Sequence, residues 1–270
     1  TYQYDLACIC ASPWLDKLMT DKYQRWSRFL WLAYDHNIYK TSEKKIQSKY
    51  QELKTDRYTV HIAVYARCHT ERRCVELALE SLEQLSKLSS NFVVHFFGDK
   101  DLDINPSYKA VNYGILDHEQ LAKLYQFCTI GLSFSATNYS LLPQEMMAAG
   151  LPVFDLNVES TRAIYPENVI QLMAPCAQTI ANTLNHYSRD PQLLQQQALA
   201  AYEWVVQFSW ERAGDDFERA LIDRLSERDT HETNNSYSIE KIHQNSHNDP
   251  DGRARSRPHP WDHNWLWLWL

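Results

Sequence analysis

Three arginines gather where an apolar run gives way to a helical period: Arg67, Arg72 and Arg73 follow VHIAVYA at Val60–Ala66. Guanidinium forks beside a helix N-terminus suit a diphosphate, since both the cations and the free backbone N–H groups favour an anion. The same turn reads Arg67-Cys68-His69-Thr70 where a dinucleotide site needs glycines, which argues against nicotinamide and flavin chemistry. A second stretch, Ser140-Leu141-Leu142-Pro143-Gln144-Glu145, runs into a short helix. Its N–H groups at 140–142 are placed to meet an anion, and Glu145, one turn in, to accept hydrogen bonds from sugar hydroxyls. The bland alternative for Glu145 is a solvated carboxylate favoured by the helix dipole.

Other chemistry finds little support. Asp101-Leu102-Asp103 is a DxD, a spacing that arises readily by chance among 34 acidic residues. The histidines of the folded body show no ligand spacing. The six cysteines, Cys8, Cys10, Cys68, Cys74, Cys128 and Cys176, form no CxxC, and most lie in apolar runs, as expected of buried, reduced thiols in a cytosolic protein. A net charge of −7 speaks against a basic nucleic-acid face. No apolar stretch of about eighteen residues is present to span a bilayer. The chain opens at Thr1 without Met or a signal-peptide pattern, which reads as a fragment.

The elements that must position these residues alternate along the chain. Apolar strands are expected at 60–66, 92–97, 110–113, 130–134 and 152–154. Helices are expected at about 71–88, from a cap at Asp117 with Gln120 as its capping-box partner, from Pro143 to Gly150, and near 177–188, 191–207 and 210–225. Continuous apolar strands alternating with helices mean a Rossmann-like α/β domain over 58–225, with a parallel sheet covered on both faces. Ligands of such sheets bind outside the carboxyl ends of the strands. Residues 1–57 read as a strand, a helix, a strand and a polar linker with helical propensity over 41–57, too little to build a core. Residues 226–270 carry five of the eleven His and little apolar periodicity, and read as a disordered tail. Its last residues alternate Trp and Leu, either a membrane-surface tag (a peripheral membrane contact) or a translation artefact.

Several segments resemble GT-B glycosyltransferases of the family-4 type. LLPQEMMAAGLPVF is similar to their signature of a hydrophobic pair, a Glu-bearing helix and small-Gly-x-Pro-Val. IAVYARCHTERRCVELALESL resembles the phosphate loop of the same domain, DHEQLAKLYQFCTIGLSFS the helix and strand before the signature, and FSWERAGDDFERAL its closing helix. Together they cover about 58–225 in the family's order, and the subgroup most similar is the rhamnosyltransferase type that uses a dTDP-sugar.

The resemblance implies a donor-binding C-terminal domain, with residues 1–57 a remnant of the N-terminal, acceptor-side domain and its crossover; the rest of that domain is the expected missing partner. It implies that Arg67 and Arg73 hold the donor diphosphate, that Tyr139, Ser140 and Leu141 contact the phosphates, and that Glu145 binds the ribose. Gly98 and Leu116 would border the base. Thr137 stands eight residues before Glu145, where the family's motif has its first Glu, so no carboxylate is available there and no catalytic residue is assigned. The expected function is cytoplasmic transfer of a sugar, rhamnose in the nearest subgroup, from a dTDP- or UDP-linked donor to a glycan acceptor in polysaccharide biosynthesis, with no cofactor, metal or nucleic acid. The alternatives are a non-catalytic nucleotide-sugar-binding module and a nucleotide-sugar epimerase.

Overall fold

The computed structural model describes residues 6–53, 58–137, 140–245 and 267–268. In chain order they form β1 (Cys8–Cys10), α1 (Pro13–Lys17) continued by a π turn at Leu18–Lys22, β2 (Ser27–Phe29), α2 (Glu43–Glu52) and β3 (Val60–Tyr65). A 3₁₀ turn at Glu71–Arg73 precedes α3 (Val75–Leu88), β4 (Phe92–Phe97), β5 (Lys109–Asn112), α4 (His118–Phe127) and β6 (Ile130–Leu132). Then come α5 (Leu142–Ala148), β7 (Val153–Leu156), α6 (Glu159–Arg162), β8 (Gln171–Met173), α7 (Ala177–Ser188), α8 (Pro191–Val205), α9 (Trp210–Asn245) and β9 (Trp267–Leu268).

The six strands from β3 to β8 form one sheet in the order β5-β4-β3-β6-β7-β8, every neighbour parallel. The chain steps outward from β3 to one edge, then returns to β6 and runs to the other, and this reversal opens a crevice at the carboxyl ends of the strands. Alternation within β3 divides the faces: Val60, Ile62 and Val64 join Leu82, Leu85, Ile180 and Leu184 in the main core. His61, Ala63 and Tyr65 take the opposite face.

The chain divides into two compact units. One comprises Ser12–Trp14 and Trp31–Trp210 and contains the six-stranded sheet; the other draws on β1, β2, Leu15–Leu30 and the chain from Glu211 onward. The boundary near 57 is therefore misplaced. The polar stretch expected to be a linker forms α2, capped by Ser42 accepting from Lys45 N–H, and it packs on α8. Its buried Ile46 and Tyr50 belong to the sheet's own core. The boundary near 225 shifts as well: α9 runs on to Asn245, so residues 226–245 are helical where a disordered tail was expected. In the other unit β1 pairs in parallel with β2 and with β9. No helix among the described residues is long and apolar enough to cross a membrane.

Candidate functional site

The turn after β3 carries the arginines differently from the expected single helix. The 3₁₀ turn ends at Cys74, which adopts a left-handed φ of 47°, and only then does α3 begin. This break turns Arg73 inward. Arg73 is 6% exposed, its guanidinium lies 5.1 Å from the Tyr65 ring centroid, and its Nε and Nη1 have no hydrogen-bond partner. Burial, then the neighbouring Arg72 charge, pull its pKa below the ordinary value, while Tyr65 and Asp155 oppose the shift. Arg67 stays exposed on the loop, its carbonyl accepting from Thr70 N–H. The turn is tied to the loop after β6, where Ala136 N–H donates to Arg72 O at 2.9 Å.

From Arg73 a line of rings leads to the other candidates. Tyr65 lies 5.5 Å from Phe97, Phe97 lies 5.7 Å from Tyr125, and Tyr125 stacks with Tyr39 at 6.0 Å. Gly98, just past β4, has a φ of 103° and its Cα faces Tyr65; a Cβ there would come within 2.5 Å of the Tyr65 ring. Only glycine lets the strand end turn away so close to the ring. At the far end Tyr39 lies within electrostatic reach of Glu145, and its Oη lies 2.9 Å from His118 Nδ1. His118 is held at the start of α4 by the expected capping box: Gln120 N–H donates to Asp117 Oδ1 and Asp117 N–H to Gln120 Oε1.

Glu145 sits in α5, which begins with Pro143 at its first turn and ends in Gly150 at φ 81°. It is 9% exposed and its Oε2 has no partner. The bland alternative of a solvated carboxylate is therefore not what the fold builds. Burial pushes the carboxyl above its usual range, against the opposing pulls of His118 and Tyr39. The helix dipole does not overcome desolvation here.

Of the remaining sequence candidates, Leu116 is half-buried just before the α4 cap, and Thr137 is exposed. Ser140 is half-buried with its hydroxyl unpartnered, and Leu141 forms the N-cap of α5. Tyr139 lies outside the described residues. The structure thus brings Arg73, Gly98 and Glu145 to one end of the sheet, and leaves Arg67 and Thr137 at the surface. The cysteines are free, but Cys68 and Cys176 are exposed rather than buried. No group of three His, Cys, Asp or Glu among the described residues is arranged to hold a metal, and Asp101 and Asp103 belong to none.

Three residues of this region escaped the sequence reading. Asp155 on β7 is 1% exposed, accepting through Oδ1 from Ser135 N–H at 2.9 Å and Leu156 N–H at 2.7 Å. The visible signal was a lone acid inside the apolar run PVFDL. Asp99, also buried, accepts from Cys68 N–H and Asp101 N–H and lies 3.6 Å from His69 Nε2, joining the loops after β3 and β4. Tyr39 carried no local signal at all. A cavity of about 330 Å³ lies instead at the amino ends of β3 and β4, lined by Tyr58, Asn91, Ser188 and Arg189 among others. It is remote in the fold from the carboxyl-end cluster.

A parallel six-stranded sheet of this order has the fold of the Rossmann-like C-terminal domain of GT-B glycosyltransferases. Within that class, residues 60–185 match the family model of the WsaF C-terminal domain. HepE of Anabaena, solved in complex with UDP-glucose, superposes with a TM-score of 0.62 at 16% identity, over 82% of this chain and 64% of that one. Sucrose-phosphate synthase of Thermosynechococcus elongatus gives 0.61 at 18% identity, over 81% and 58%. The C-terminal domain of a group 1 family glycosyl transferase, LpcC of Francisella tularensis, gives 0.52 at 18% identity, over 65% of this chain and 97% of that domain. The chain therefore spans about three fifths of HepE and of the synthase, but matches nearly all of an isolated C-terminal domain. No curated protein matches its sequence significantly.

Proposed function

We propose that this chain carries the donor half of a glycosyltransferase and binds a nucleoside-diphosphate sugar at the carboxyl ends of β3, β4 and β6. The observation that carries the reading is Arg73, a buried guanidinium with two unpartnered nitrogens, on the same end of the sheet as Gly98 and the buried Glu145. A buried cation without a hydrogen-bonding anion is expensive, and a diphosphate supplies the missing acceptors. Arg73, with the more exposed Arg67 and the backbone at 140–141, would hold the phosphates. Glu145, steadied by Tyr39, would accept from the ribose, and Gly98 with Leu116 would border the base; Tyr139 is proposed to contact the phosphates on the resemblance alone.

In such a reaction the bond between the anomeric carbon and the diphosphate oxygen breaks, and negative charge grows on the leaving diphosphate. Arg73 is buried where that charge would develop, so its stabilisation would rise toward the transition state. No metal is required for this role. The rhamnosyltransferase-like segments of the sequence support a dTDP-sugar, rhamnose first, passed to a glycan acceptor held by an N-terminal domain. A purely nucleotide-sugar-binding role is favoured by one feature, the exposed Thr137 in place of a carboxylate. Calorimetric titration with dTDP, UDP and GDP tests the reading: micromolar or tighter binding of dTDP or UDP is expected, and absence of binding by all three overturns it. Turnover of dTDP-rhamnose then separates enzyme from binding module.

A further inference from the structure

We propose that Asp155 is a positioning residue for the donor diphosphate, a buried carboxyl that shapes the loop after β6 and competes with the phosphates for Arg73. This inference rests on the donor reading above. Three observations carry it. Asp155 Oδ1 accepts from the backbone of both Ser135 and Leu156, so this side chain fixes the start of the 135–141 loop on β7. Its Oδ2 is buried and unpartnered, as are Nε and Nη1 of Arg73, and the two side chains lie within electrostatic reach of one another. The Arg73 turn is itself fastened to the same loop through Ala136 N–H and Arg72 O. One loop thus joins a buried acid and a buried base, each with hydrogen-bonding capacity to spare.

The consequence is a competition. Complete burial pushes the Asp155 carboxyl up to about 8, in spite of its two backbone hydrogen bonds and the Arg73 charge. The ionisable groups that face it are Arg73 and Cys74; those that face Arg73 in turn are Arg72, Arg67 and Tyr65. Below that range Asp155 is a neutral acid and the Arg73 charge is free to meet a diphosphate. Above it the carboxyl gives its proton to solvent, and its negative charge both draws on Arg73 and repels the phosphates. Bound diphosphate raises the carboxyl further, so binding takes up a proton at alkaline pH. With one linked proton, the dissociation constant should rise up to about tenfold between pH 7 and pH 9. The diphosphate itself is fully ionised there, since its last proton leaves near pH 6.

The test is calorimetric titration of the full chain with dTDP and UDP at pH 7, 8 and 9, for wild type and Asp155→Asn. The amide imitates the neutral acid, so Asp155→Asn should bind with little change across the series and exceed wild type at pH 9 by about the same tenfold. Parallel profiles for the two proteins overturn the inference while leaving the donor site standing. If the variant does not fold, a wild-type dissociation constant that stays constant from pH 7 to pH 9 overturns it equally. A wild type that binds neither nucleotide at any pH overturns the donor reading, and this inference with it.

Discussion

Replacing Glu145 by Gln should move stability and binding in opposite directions. The side chain is 9% exposed, one oxygen has no partner, and desolvation outweighs the help of His118 and Tyr39. Its folded pKa thus lies above the unfolded value, so the native state holds more protons than the unfolded chain between the two. Stability from this group is then present in full at low pH and declines as pH rises through the folded pKa. Gln keeps the shape and removes the charge, so at pH 8 the ligand-free variant should be more stable by about 1 kcal/mol, seen as a melting temperature about 2–4 °C higher. The difference should vanish toward pH 4, where Glu145 is neutral too. Nucleotide affinity should meanwhile fall by about 1–2 kcal/mol, the usual gap between charged and neutral hydrogen bonds to the ribose. Thermal melts at pH 4–8 and calorimetry with dTDP and UDP read the two effects separately. A variant that melts below wild type at pH 8, or one that binds as tightly, refutes the reasoning.

Other perturbations separate packing from binding. Gly98→Ala forces a Cβ within 2.5 Å of the Tyr65 ring at a φ of 103°, and should cost about 1–3 kcal/mol of stability together with nucleotide affinity; an unaltered melt contradicts the close approach. Leu151→Ala, fully buried just before β7, should destabilise by about 2–5 kcal/mol, with nucleotide affinity of the remaining folded protein unchanged by calorimetry. His95 is buried, lies 2.8 Å from His61 Nδ1 through its Nε2, and has a pKa pulled down to about 4 by burial and then the His61 charge. Because that value is below the unfolded one, stability should be lost as pH falls from about 6.5 to 4, and a melt series that is level over that window refutes it. Truncation after Leu225 removes Glu227, which pairs with Arg28 at 3.8 Å and Arg224 at 3.9 Å. These are solvent-accessible pairs near 4 Å worth about 0–1 kcal/mol each, so the melt of the Trp31–Trp210 unit should be unaffected.

The fold was legible where the pattern was strong. Apolar runs such as VHIAVYA and FVVHFF became central strands because a parallel sheet buried on both faces demands nothing else. The capping box at Asp117 and the Pro143-to-Gly150 helix followed from local chemistry alone. What local pattern could not show was tertiary. The charged face of α2 hid Ile46 and Tyr50, two side chains that tie residues 43–52 to the sheet. The continuation of α9 past Leu225 had no apolar stripe to announce it. At the site, arginines could be chosen by type, but which of them turns inward depended on the left-handed Cys74, a conformation unusual for that residue. The burial of Glu145 was not visible for a similar reason: the helix dipole can be read from a sequence, whereas Tyr39 and Tyr125, which lie beside the carboxyl, come from distant segments.

A crystal structure of the chain with a bound nucleoside diphosphate measures the central claim most directly. The account places the diphosphate within hydrogen-bond distance of Arg73 Nε and Nη1, with the ribose hydroxyl on Glu145. A nucleotide seated instead in the cavity at the amino ends of β3 and β4, beside Tyr58 and Arg189, would contradict it.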